Sequence, residues 1–431
     1  MSRQHLITGI DIGSSKITTL IVNPSQESER LNVVGVSSTP SRGIKKSQVV
    51  DIEEAYQSIT ESVEAAERMA GYSVNSAFVS VSGEHIHSQN SKGVVAVGNP
   101  EGEITQDDVY RVIEAARAVS LPSSREIIHV IPREFIVDSQ SGVRDPLGMT
   151  GVRLETEAHL ITGSTAVMKN LTKCIGEIGI EIEDMIFSGL ASAQAVLSET
   201  EKELGVILVD IGGGTTSVSI FIDGALSHSA VLPVGAKNIT NDLAIGLRIS
   251  LQSAEKIKQY LTSLEKQPQP AIQEDTIDSK RKSDELNLAR LGLKEEIKTT
   301  SKKTLIEGII RPRLNEIFSM VGEEIKRAGF AGATPAGVVI TGGGAETVAV
   351  QDSCRRTLQL PTRLGEPSGL SGLIDEISSP AYATATGLVL HAVIHPDSET
   401  KFSGNFKNMF KSLPGKGIVS KGTSWIKSLL P

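Results

Sequence analysis

An α/β protein made of two similar lobes is predicted by this sequence, on three observations. At 431 residues the chain exceeds what one hydrophobic core accommodates. One order of elements, three strands and then a helix, occurs twice. In both copies the first strand ends in Asp-Ile-Gly, as DIGSSK at Asp11–Lys16 and as DIGGGTT at Asp210–Thr216. A repeat with a period of about two hundred residues indicates duplicated domains, because solenoid units run to about 20–50 residues.

The first copy reads LITGIDI, ITTLIVN and LNVVGVSST, apolar β-branched runs separated by Gly, Ser and Pro turns. A helix follows from Asp51, with Ile52, Ala55, Ile59, Val63, Ala66 and Met69 at helical spacing and Gly71 as its stop. The second copy reads GVILVDI, TTSVSIFIDG and ALSHSAVLPVG, with a helical stretch from Asn238. The first lobe is expected over 1–83 and 164–203, interrupted by a subdomain over 84–163 whose helix starts at an N-cap, Thr105. The second lobe is expected over 204–237 and 314–395, with a small subdomain over 238–313. Residues 262–300 are polar and Pro-bearing and read as an exposed or disordered insert. A helix resumes at Lys302, crosses Pro312 and ends near Gly329; the strand VVIT then meets a glycine run, and AYATATGLVLHAV closes the fold.

Composition narrows the function classes. Hydrophobic content of 39% and charged content of 22% suit a globular chain, and no stretch approaches the roughly 20 apolar residues of a spanning helix. The N-terminus has no signal-peptide pattern, so a cytosolic location is expected. Cys174 and Cys354 lack a CxxC partner and read as small core residues. The net charge is −8, yet residues 401–431 hold six lysines and no acid, leaving about −14 on the rest. Nucleic acid is therefore not an expected partner.

Chemistry concentrates at the strand ends. A strand that stops at an Asp and enters a tight glycine turn aims backbone N–H groups past its end, where a phosphate fits. Gly13, Ser14, Ser15 and Lys16 supply one such turn, and Gly212, Gly213, Gly214, Thr215 and Thr216 the other. Asp11 and Asp210 would then share a hydrated Mg²⁺, an ion that keeps several of its waters. Either turn alone is an ordinary glycine hairpin; their pairing at equivalent places points to a nucleotide. Gly342, Gly343 and Gly344 follow a strand and can let a purine or ribose approach the backbone. Glu255 and Lys258 lie at i and i+3, on one helical face, where they either bond ribose hydroxyls or form a surface ion pair. Neither a P-loop nor a GxGxxG spacing occurs.

The tail has its own pattern. Phe402, Phe406, Met409, Phe410 and Leu413 fall on one helical face, and after KGIVSKG the segment TSWIKSLLP sets Trp425, Ile426, Leu429 and Leu430 on one side with Lys427 elsewhere. This is either an interfacial anchor or a helix docked on the body. Four apolar side chains give at most about 6–12 kcal/mol before the cost of ordering the helix, so one copy binds weakly and an array binds well.

At this point the segments resemble a family. GIDIGSSKIT, PSRGI, SGEHI, EITQDDV, HVIPREF, DPLGMTGVRLE, FSGLAS, ELGVILVDIGGGTT, ITNDLA, RPRLNEI and VITGGGA, over about residues 5–395 and again at GTSWIKSLL, are similar to the bacterial cell-division protein FtsA. FtsA belongs to the superfamily of actin, the heat-shock 70 chaperones and the sugar kinases. The resemblance implies an actin-like ATPase fold with two RNase H-like lobes and an FtsA-type subdomain in the first. It implies ATP and Mg²⁺ as cofactors, polymerisation, and an anionic-membrane anchor in the C-terminal helix, carried here by Phe402, Phe406, Phe410, Trp425, Ile426, Lys427, Leu429 and Leu430. It also implies attachment of the C-terminal peptide of FtsZ to the membrane's cytoplasmic face at the division site, beside other divisome proteins. Lys302, Lys303, Arg311 and Arg313 are the basic residues available to that peptide. An ATP-dependent sugar kinase or a chaperone-like ATPase is the alternative on the same core. The helix SGLASAQAVL offers Ser188, Ser192 and Gln194 but no carboxylate to orient a water, so hydrolysis is expected to be slow or absent.

Overall fold

A computed structural model describes residues 6–24, 31–99, 101–266, 284–295, 299–373 and 377–395. Three sheets organise the chain. The first has the order Glu181–Phe187, Ser76–Val81, Ile7–Ile12, Lys16–Asn23, Leu31–Pro40, Leu370–Gly372. The second has the order Ala225–Leu232, Thr216–Ile222, Val206–Ile211, Val338–Thr341, Thr362–Leu364. In each, the Asp-bearing strand pairs antiparallel with its successor and parallel with a later strand on its other side. Asp11 lies opposite Thr18 and Asp210 opposite Ser217, so both carboxylates leave the same pleat position of equivalent strands. These strands are buried along nearly their whole length, which explains their continuous apolar runs instead of alternation.

The helix Ile52–Ala70 covers the first sheet, capped by Asp51 and closed by Gly71 in the left-handed region. Its Ala55, Ile59, Val63 and Ala66 pack against Ile10, Ile17 and Ile21. The helix Arg311–Arg327 covers the second sheet through Leu314, Phe318, Val321 and Ile325. Its approach to Pro312 passes through a π-turn over Ile306–Ile310. The wider turn accommodates a proline that has no N–H and whose ring crowds the preceding turn.

Two expectations change. Strand Leu370–Gly372 joins the first sheet beside Leu31–Pro40, and Ala385 and Val389 of the last helix, Ala383–Ile394, pack with Leu20 and Val22 of that sheet. The end of the stretch 314–395 therefore returns to the first lobe. This helix is apolar and small-residued on every side, so its sequence names no preferred sheet. Residues 262–300 are not one exposed insert either. The helix Leu251–Lys266 runs through Thr262, and Leu286 and Leu288 are buried in the second core. Glu295 accepts hydrogen bonds from Ser250 N (2.7 Å) and Ser253 Oγ (2.5 Å), satisfying donors at the start of that helix.

The inserted unit is a four-stranded sheet, His87–Ala96, Arg153–Ser164, Arg125–Val137, Gln140–Val143, with helix Gln106–Arg117 on one face. It meets the second lobe on the strand Ala225–Leu232, where Ile161, Ile128 and Ile131 share an apolar cluster with Leu226 and Val231 and a row of polar contacts runs beside it. Ser88 Oγ donates to Ser229 O (2.7 Å), and Arg133 Nε donates to Ser227 Oγ (3.0 Å). His159, 1% exposed, has Asn90 Oδ1 at 2.7 Å from Nδ1 and Ser229 Oγ at 3.1 Å from Nε2. Burial holds its pKa down at about 3, with His228, Arg133 and His129 pushing the same way.

A histidine kept neutral inside the fold is protonated more readily in the unfolded chain, so stability is complete above about pH 6.5 and falls as pH drops toward 3. Urea titrations of wild type and His159→Asn between pH 4 and 7.5 test this. The variant's unfolding free energy should depend less on pH, by up to about 1.4 kcal/mol per pH unit within that window; parallel curves would contradict the assignment.

Candidate functional site at the ends of two equivalent strands

The two Asp-Gly turns close in the same way. Gly13 N donates to Lys16 O (3.1 Å) and Gly212 N to Thr215 O (2.8 Å). The structure brings these turns into contact across the lobes. A Cβ on Gly213 would lie 2.1 Å from Ser15 Oγ, and one on Gly214 2.8 Å from Ser14 Oγ, so no side chain fits there. Ser14 Oγ accepts from Ser47 N (2.7 Å), Ser47 Oγ lies 3.2 Å from Thr215 Oγ1, and Lys237 Nζ donates to Ser14 O (2.6 Å).

Asp210 is buried and Asp11 partly buried, and both are tethered by hydroxyls. Asp11 Oδ1 accepts from Ser80 Oγ at 2.7 Å, and Asp210 Oδ2 from Ser192 Oγ at 2.6 Å and Thr384 Oγ1 at 3.3 Å. Burial pushes the Asp11 carboxyl up against the opposing pull of Ser80 and Lys16. It pushes Asp210 up to about 6, with the charge on Asp11 adding to the rise against the Ser192 and Thr384 bonds. Lys16 sits with Nζ 3.9 Å above the Tyr382 ring, and burial lowers its pKa while Asp11 and Glu346 oppose that. Two like carboxylates in one low-dielectric place favour their protonated forms unless a cation joins them. A hydrated divalent ion supplies that charge, and the glycine turns leave backbone N–H groups for phosphate; the residues present fit an Mg-nucleotide.

The third glycine run belongs to the same place. Gly342 has φ +83°, and a Cβ there would stand 2.2 Å from Asp210 Oδ1. Gly343 and Gly344 continue into the short 3₁₀ turn Gly343–Glu346. Glu255 and Lys258 form an ion pair of 2.8 Å, with Thr240 Oγ1 2.6 Å from Glu255 Oε2 and 2.9 Å from Lys258 Nζ. Lys258 is only 9% exposed, so this is a half-buried cluster instead of a surface pair; burial lowers the pKa of nearby Lys237, and the charge on Glu255 opposes that.

Several sequence expectations are corrected. Thr216 spends its hydroxyl on Val234 O (2.8 Å) and is fully buried, so its side chain holds the third strand instead of facing a ligand. Gln194 Nε2 lies 3.1 Å from His391 Nδ1, and Ser188 Oγ 3.3 Å from Ser217 Oγ. Arg311 is bound to Asp352 (2.6 Å) and Glu307 (2.8 Å), and Arg313 to Asp242 and Glu316 (both 2.6 Å). These two arginines are engaged by carboxylates of their own chain. Lys302 and Lys303 lie close enough to Asp284 to help keep its carboxyl below the usual range, after the Ser301 and Lys303 N–H bonds. Ser47, Ser80, Lys237, Tyr382 and Thr384 are candidate site residues that sequence reasoning missed, and Ser192, legible on its helix, was not placed on Asp210; none stands in a glycine turn. The residues expected to form an anchor, Phe402, Phe406, Phe410, Trp425, Ile426, Lys427, Leu429 and Leu430, lie outside the described residues. Among the described residues no helix is long and apolar enough to cross a membrane.

Comparison with known proteins agrees with this arrangement. A family model for "Cell division protein FtsA" matches residues 207–387, and one for "SHS2 domain inserted in FTSA" matches residues 83–162. Among solved structures, the PilM–PilN type IV pilus biogenesis complex superposes at TM-score 0.62, with 15% identity over 90% of this chain and 98% of that one. MreB5 of Spiroplasma citri bound to AMPPNP superposes at 0.50, with 14% identity over 88% and 94%. The fold is actin-like. The FtsA of Pseudomonas aeruginosa is 37% identical over 98% of this chain and 97% of its own length. That of Bacillus subtilis is 38% identical over 91% and 84%, and that of Escherichia coli K12 33% over 99% and 97%. Matched at this level along nearly its whole length, the chain belongs to the FtsA family of bacterial cell-division proteins.

Proposed function

We propose that this chain is an ATP-binding adaptor that polymerises on the cytoplasmic face of the membrane and ties FtsZ filaments to it. The observation that carries the reading is the meeting of Asp11 and Asp210 at two touching glycine turns, one from each lobe. Asp11 and Asp210 hold the waters of Mg²⁺, Gly13–Ser15 and Gly212–Thr215 bind the phosphates, and Lys16 and Lys237 add charge. Gly342–Gly344 admit the adenosine, and Glu255 and Lys258 meet the ribose. Mg²⁺ supplies the positive charge that lets both carboxylates stay ionised. A ligand gripped by both lobes fixes their relative position, which suits a subunit that must present one shape to its neighbours. The AMPPNP in the MreB5 structure supports a nucleotide in this fold.

Turnover is secondary in this reading. Between Ser188 and Leu197 there is no carboxylate, and Gln194 is engaged by His391. The tail is the membrane anchor, its lysines meeting anionic headgroups and its aromatics the interface. The C-terminal peptide of FtsZ docks on the small subdomain around residues 238–313, with Lys302 and Lys303 the more available cations. Full-length relatives named as cell-division proteins favour this over a kinase or chaperone.

Three outcomes follow from it. Below about pH 3.8 a buried Asp210 costs nothing, and above about 6 its cost is complete, roughly 3 kcal/mol. Asp210→Asn should therefore become the more stable form without nucleotide as pH rises through that window, yet gain no melting temperature from Mg-ATP, whereas wild type gains several degrees. A variant that still responds to Mg-ATP like wild type would refute the clasp. Deleting residues 423–431, or Trp425→Glu, should free the protein from anionic liposomes on sedimentation; unchanged pelleting would remove the anchor. In single-turnover experiments at saturating Mg-ATP, most nucleotide should remain uncleaved after several seconds, and rapid complete cleavage would make the chain an efficient ATPase.

A further inference from the structure

Asp210 is held by hydroxyls that come from outside its own sheet. Ser192 belongs to the helix Ser188–Val196, which follows the edge strand of the first sheet, and Thr384 to the last helix, packed on that same sheet. The two helices approach so closely that a Cβ on Gly387 would fall 1.7 Å from Ala191 O. That contact sets Ser192 Oγ 2.9 Å from Thr384 Oγ1, with both hydroxyls on one carboxylate oxygen, Asp210 Oδ2. Ser192 is fully buried and Thr384 9% exposed, so water does not compete for these bonds.

The two oxygens of Asp210 thereby differ. Oδ2 is occupied by the hydroxyl pair, while Oδ1 is the atom beside Gly342, on the side of the glycine turns. A carboxylate with one oxygen locked presents the other in a fixed direction, the way partners behind a ligand orient it and tune a metal's affinity. Asp11 is treated alike by Ser80, although that tether stays within one sheet.

We propose that Ser192 and Thr384 are positioning residues for the Mg²⁺-dependent step of nucleotide binding: they aim Asp210 Oδ1 at the ion's water shell, and they do so from first-lobe helices. This rests on the Mg-nucleotide reading above. The pair makes the Mg²⁺ affinity depend on how the second lobe's carboxylate sits against first-lobe helices, so ion binding and lobe placement are linked through one oxygen atom.

The test titrates full-length protein with ATP by calorimetry across a range of Mg²⁺ concentrations and again in excess chelator, comparing wild type, Ser192→Ala, Thr384→Val, and the hydroxyl-keeping Ser192→Thr and Thr384→Ser. Removal of either hydroxyl should raise the Mg²⁺ concentration for half-maximal tightening about tenfold or more, as for other partners that orient a metal's ligands, while ATP affinity in chelator moves less than about twofold. The hydroxyl-keeping variants should restore the wild-type Mg²⁺ dependence. Equal loss with and without Mg²⁺, or an unchanged Mg²⁺ midpoint in the alanine and valine variants, overturns the positioning role. If those two do not fold, the hydroxyl-keeping pair decides: a tenfold shift in either despite an intact hydroxyl also overturns it. A wild type whose ATP affinity ignores Mg²⁺ refutes the underlying nucleotide reading instead.

Discussion

Two carboxylates brought to one poorly solvated place, Asp210 buried and Asp11 partly so, govern this fold. Asp11 and Asp210 leave equivalent pleat positions of equivalent strands, and their pKa values rise because neither can reach enough solvent or enough positive charge. Nearby features read as a response to that constraint. Ser80 tethers one carboxylate, and Ser192 with Thr384 the other. Lys16, half-buried over Tyr382, is the cation close enough to help Asp11. The glycine turns keep side chains out of the space that the pair would share with an ion. A chain built only for stability would replace such a pair with apolar residues; keeping both makes sense when a charged ligand completes the site.

What could be read from the sequence follows from which constraints are local. A strand, an Asp and a tight glycine turn are contiguous, so both phosphate turns and the third glycine run were visible in order along the chain. Helix Ile52–Ala70 announces its own ends through Asp51 and Gly71. Ser192, Thr384, Ser47 and Lys237 are ordinary residues in ordinary elements; their roles arise because chain segments distant in sequence converge on Asp210 and Ser14. Thr216 misled because a hydroxyl in a glycine turn resembles a phosphate ligand, while the structure gives it to Val234 O. For Arg311 and Arg313 the charge is legible in sequence, but its partners on other elements, Asp352 and Asp242, are not.

The inserted subdomain shows a different balance. Its own core is apolar, Ile104, Val109, Val112, Phe135 and Leu154 among others, and makes it a unit. Much of its contact with the second lobe is made by serines, Asn90, Arg133 and His159. An apolar interface loses its hydrophobic free energy in full when opened, whereas hydroxyls and amides released from a polar seam find water, so each bond contributes only about 0.5–1.5 kcal/mol net. The seam fixes direction through geometry more than it fixes strength. Strength comes from the apolar cluster in which Ile161 of this unit joins Leu226 and Val231 of the second lobe.

An actin-like fold alone leaves catalyst, chaperone and scaffold equally open; the use made of one short helix supports the scaffold proposed above. A helix after the first sheet's edge strand is where a water-orienting Gln or Glu is wanted for rapid cleavage. Here Ser188 faces Ser217, Ser192 holds Asp210, and Gln194 faces His391. Side chains that would activate water are instead directed at the second lobe's carboxylate and at the last helix. That helix reaches from Thr384, on the carboxylate, to His391 and His395, stacked at 4.2 Å between ring centroids where the described chain ends. Its two ends thus join the ligand-facing aspartate to the point from which the lysine-rich tail departs. The hydroxyls and amide of this region are spent on fixing positions, which is what the proposed clasp requires.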